Sequence, residues 1–154
     1  MRSLRSPLSD IALVVARLVL GVVLIAHGAQ KLGRGVGSVA EGFAGMGIPL
    51  PGVAAAFTMG VELLGGVLLI AGAFTPVVAL FVVATMVGAG AFAHFGQGIF
   101  VDQGGWELVG VIGIGALALA AAGAGRFSID HLIAGRRDGT TTDRAPVSAG
   151  SHRA

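Results

Sequence analysis

The chain has 154 residues, 55% of them hydrophobic and only 12% charged, with a mean hydropathy of +0.89. Soluble domains carry about 25% charge, and folding at this size hides only about 68–70% of the chain's surface, so a water-exposed fold is excluded. Ten basic against eight acidic residues give a net charge of +2 and no basic stripe for nucleic acid, while the lack of cysteine removes disulfides, Cys-ligated metals and thiol chemistry.

Charge-free runs set the predicted elements. Residues 1–9 form a short N-terminal stretch with Arg2 and Arg5. From Ile11 to Gln30 only Arg17 interrupts an apolar run, and a bilayer-spanning helix needs about 20 such residues, so a first span is predicted over about 10–31. It has the outline of a secretory signal, but Arg17 and the apolar runs that follow predict an uncleaved anchor. The glycine-rich stretch Gly33–Pro51 reads as a re-entrant or lid-like loop, with Phe43, Met46, Ile48 and Leu50 on the membrane surface. Its run Gly35-Val36-Gly37-Ser38-Val39-Ala40 has the spacing of a dinucleotide fingerprint. That reading fails for want of a preceding strand and a βαβ unit.

The next charge-free run, from Leu63 to Val101, follows another that ends at Val61. Together they are too long for one span, and Phe74-Thr75-Pro76 marks a hairpin because proline suits a helix's first turn. Spans two and three are therefore predicted over about 52–73 and 76–95, and a fourth over about 106–124. The alternation of membrane strands is missing, so the expected fold is all-α, an integral membrane four-helix bundle over residues 10–132. Glycines such as Gly65, Gly66, Gly110 and Gly115 read as points of close helix approach. Residues 133–154 read as a disordered polar tail. Arg2, Arg5, Arg126, Arg136 and Arg137 outnumber Lys31 and Arg34, which puts both termini in the cytoplasm.

Ionisable groups inside spans are costly and point to function. Depth estimates from a rise of about 1.5 Å per residue sort them into two groups. Arg17 and Glu62 form an inner group, either a buried ion pair or, through Glu62, a proton carrier. His27, His94 and Glu107 form an outer group, with Gln30, Lys31 and Trp106 beside it. His27, Gln30 and Lys31 share one helix face by their i, i+3, i+4 spacing, and Trp106 stands where an interfacial aromatic belongs. The outer group could hydrogen-bond a quinone or small molecule, ligate a haem through its histidines, or bind a divalent metal. Alternatively the histidines are interfacial groups satisfied by water and backbone; among the ligand readings the quinone leads and no metal is named.

Several segments together resemble the DoxX family. They are Ala16-Arg17-Leu18 with His27-Gly28-Ala29-Gln30-Lys31-Leu32, Gly42 to Pro49, Val61-Glu62-Leu63-Leu64-Gly65-Gly66 with Gly72 to Thr75, and Gly123 to Asp130. The resemblance implies a small four-helix protein of the bacterial plasma membrane and a redox setting, since relatives include a membrane subunit of thiosulfate:quinone oxidoreductase. On it, Arg17, His27, Lys31, Glu62 and Arg126 fall on the family's pattern. The functional expectation is a redox-accessory subunit that binds a quinone near the outer leaflet. The alternatives are a non-catalytic scaffold for soluble redox enzymes and a small proton-coupled transporter, which as a four-span protein would need to form a homo-oligomer.

Overall fold

Ser6 opens the chain's first helix in the computed structural model, which describes residues 6–139. Its hydroxyl accepts from the Ser9 amide at 3.3 Å and Pro7 occupies the first turn, both of which favour helix initiation. This helix, α1, runs Pro7–Arg34. It ends at Gly35, whose φ of +83° turns the chain at once into a second, shorter helix, α2, over Val36–Gly45. The stretch predicted as a loop is thus largely helical. Glycine at every few positions hid the pattern, but Val39 and Phe43 pack on Ala55 and Met59 and hold the helix in place.

α3 covers Pro51–Ala71 and α4 covers Thr75–Gln97. Between them the chain reverses through Gly72 and Phe74, both in the left-handed region. Asp130 fastens this hairpin, because its Oδ1 accepts from the Phe74 amide at 2.6 Å and its Oδ2 from the Thr75 amide at 2.9 Å. Those amides belong to the orphan donors of a helix N-terminus, where a carboxylate is well placed. α5 runs Glu107–Ala122 and α6 runs Ile129–Gly139. α6 extends into the part of the chain read as tail from residue 133, whereas Arg2, Arg5 and residues 140–154 lie outside the described residues.

All regular structure among the described residues is helical. α1, α3 and α4 are each long and apolar enough to cross a membrane, and α5 is an apolar helix of 16 residues. These four form an antiparallel ring in which α1 packs on α3 and α5, and α4 packs on α3 and most extensively on α5. Leu24, Leu69, Val82, Ala116 and Leu119 fill the centre. The outer surface is apolar too, with Val19, Val22, Val67, Val111 and Ile114 all more than half exposed. Such a surface is stable in hydrocarbon and not in water. The protein is an all-α integral membrane bundle.

The α1–α3 seam fixes the register. A Cβ on Gly21 would lie 2.7 Å from the Gly66 carbonyl oxygen, and one on Gly28 would lie 2.7 Å from Leu63 Cγ. Without a hydrophobic driving force between helices in lipid, close approach at small residues is what holds such a pair together.

Candidate functional site

This register overturns the expected pairing of Arg17 with Glu62. It sets Arg17 beside Gly72 at the hairpin end, where a Cβ on Gly72 would collide with the guanidinium. Arg17 is buried, and its Nη2 donates to the Phe127 carbonyl at 2.6 Å. Nearby, Asp10 accepts from the Arg126 amide and Ser128 donates to the Gly125 carbonyl. Arg17 therefore ties the closing segment between α5 and α6 to α1. Depth reckoned from span centres could not see this, because the glycine seam slides α3 along α1.

Glu62 instead meets Lys31, toward the other end of α1. Lys31 Nζ donates to Glu62 Oε1 at 2.6 Å and Oε2 at 2.8 Å. Glu62 is 3% exposed and belongs to a π-helical turn, Val61–Gly65, inside α3. A second π-helical turn, Gly90–His94, ends with His94 near the C-terminus of α4. π-turns within α-helices recur at functional sites, since the extra residue re-aims the side chains beside it.

Both turns border one cavity of about 550 Å³ under α2. His27, Lys31 and Glu62 line it from α1 and α3, and His94 from α4. Its remaining walls are mostly apolar, Leu24, Phe57, Phe92 and Ile112 among them. α2 forms a lid, with Val39 and Phe43 on the cavity side, and Met46 and Ile48 from the turn after it also reach the lining. Leu50 is 74% exposed, in keeping with a surface position.

Each imidazole is held by a carbonyl. His27 Nδ1 donates to Val23 O at 2.9 Å, and His94 Nδ1 donates to Gly104 O at 2.7 Å. A carbonyl can only accept, so the proton sits on Nδ1 and Nε2 is left to a ligand.

The structure separates the other expected members from the cavity. Glu107 Oε1 accepts from the Val101 amide at 2.7 Å, so this carboxylate braces the 98–106 loop at the start of α5. Gln30 is exposed, Trp106 is 40% exposed, and neither lines the cavity. Among the described residues no three His, Asp or Glu side chains are grouped to hold a metal, and the metal reading of His27, His94 and Glu107 lapses with the departure of Glu107.

Sequence reading missed Arg34, Ser38, Thr58 and Thr85, which also line the cavity. Ser38 lay in the supposed loop. The two threonines are cheap to place in a membrane helix because a hydroxyl can bond its own backbone, as Thr85 does to Phe81 O at 2.9 Å.

A small all-helical membrane protein with a polar-edged cavity at one end is the class these observations define. Residues 12–95 match the DoxX family, more than half of the chain, and the protein belongs to that family. The match takes in Arg17, His27, Lys31, Glu62 and His94 and ends before Trp106, Glu107 and the closing segment. No curated protein and no solved structure matches the chain.

Proposed function

We infer that this protein binds a lipid-soluble quinone, or a small molecule of similar shape, at the lidded end of the bundle and serves a redox partner as a membrane accessory subunit. The cavity carries the reading. Its volume of about 550 Å³ is that of a small-molecule site, for which roughly 300–1,000 Å³ is usual, with apolar walls and a few placed polar groups. The polar groups suit both redox forms of a quinone head. Two of the three N–H donors of Lys31 engage Glu62, which leaves one for a quinone carbonyl. The Nε2 lone pairs of His27 and His94 are acceptors for the hydroxyls of a quinol. The redox setting rests on the family resemblance.

In the orientation we favour, both termini lie in the cytoplasm of a bacterial plasma membrane and the cavity faces the outer leaflet. The excess of arginines flanking the outermost spans supports this.

The test is direct binding. Protein reconstituted in lipid nanodiscs should bind a decyl-chain benzoquinone, read by quenching of its single tryptophan, Trp106. His27→Ala and His94→Ala should each weaken that binding about tenfold, the loss expected for one hydrogen bond of about 1–1.5 kcal/mol. Wild-type affinity in both variants would sink the reading.

A further inference from the structure

Resting on that reading of the cavity, we propose that its ligand is a chain-bearing amphiphile that enters sideways from the bilayer, through a gap between the N-terminal half of α3 and the C-terminal half of α4. The two helices close on each other only toward the hairpin, where Gly65 faces Val78. Farther along they part. The first half of α3 packs on α2, whereas α4 is committed to α5, with Met86 against Gly113. Apart from the edge-to-face contact of Phe57 with Phe81, at 6.0 Å between ring centroids, the first half of α3 has little contact with α4.

The residues that line the cavity at this gap are also substantially exposed. Phe57 is 45% exposed and Phe92 46%, and both line the cavity. So do Ala84 and Gly88, one helical turn apart on α4. Small side chains at both positions leave the opening clear, and a Cβ on Gly88 would meet nothing within 4 Å. From Ala84 to His94 the cavity wall descends roughly 15 Å along α4, deep enough to reach acyl chains rather than headgroups.

These features fit a ligand of two parts. Its head reaches the imidazoles and the Lys31–Glu62 pair, while its chain lies out through the gap among the lipid tails. A water-soluble ligand would have no use for an opening at that depth.

Two probes separate this proposal from the reading beneath it, a decyl-chain benzoquinone and the same benzoquinone without its chain. Gly88→Leu and Ala84→Leu fill the gap and keep good helix formers on α4. In nanodiscs each should weaken binding of the chain-bearing probe at least tenfold more than binding of the chainless one. Equal loss of both probes, or no loss of the chain-bearing one, overturns lateral entry while the cavity still binds quinone heads. Failure of the wild-type protein to bind either probe overturns both proposals together.

Discussion

Glu62 owes its place in the bundle interior to one partner. A carboxylate left alone there strands a charge, which costs about 3–5 kcal/mol when a buried pair is broken, so Lys31→Met should destabilise the protein by that order. Replacing both residues with methionine should recover most of the loss, because two apolar side chains can fill the space without an orphaned charge. Thermal unfolding in detergent reads the difference; equal destabilisation in single and double variants would contradict the pairing. Which residues were out of the ordinary was legible from the sequence, since Arg17, His27, Glu62 and His94 interrupt apolar runs. Their partners were not. The choice of Lys31 over Arg17 depends on where Gly21 and Gly28 seat α3, a close approach at small residues that leaves no mark on hydropathy. Glu107 misled for a related reason, since a carboxylate at a helix start serves a loop amide as readily as a ligand.

The hairpin and the α1–α3 seam are the elements on which assembly depends. Asp130→Ala removes the acceptor for two amides at the start of α4 and should cost about 1–2 kcal/mol, as losing an N-cap does. Glycines divide by what a side chain would meet. On Gly66 a Cβ would lie 2.8 Å from the Gly21 carbonyl oxygen, whereas on Gly60 it would meet nothing within 4 Å. Gly66→Leu should therefore prevent accumulation of folded protein, and Gly60→Ala should be neutral or stabilise by up to about 1 kcal/mol through helix propensity. Comparable yields and melting temperatures for the two variants would refute the seam. The long helices follow the uncharged runs because in lipid a segment must satisfy its own backbone, and that requirement is written in composition. α2 escaped notice because its glycines lower helix propensity, and packing of Val39 and Phe43 overrides them.

At the scale of the molecule, the membrane setting could be read from the shortage of charge, because no other solvent accepts so apolar an exterior, and the all-α class from long apolar runs without strand alternation. The cavity could not. It arises where two helices diverge, and divergence depends on which neighbour each helix half prefers. The orientation we favour has a clean test, since the chain contains no cysteine. Asp102→Cys, in the loop before α5, should react in intact cells with a membrane-impermeant thiol reagent, and Asp138→Cys should react only after lysis. The reverse pattern would invert the molecule in its membrane. The π-helical turn Val61–Gly65 carries a final consequence. A π-turn closes i→i+5 where an α-turn closes i→i+4, so it holds one residue more while the helix on either side keeps its course. Excising Leu64 from that turn should therefore leave Gly66 seated on Gly21 and turn the segment into plain α-helix, with Glu62 re-aimed relative to Lys31. The fold would outlast such a deletion, whereas the aim of the buried carboxylate would not.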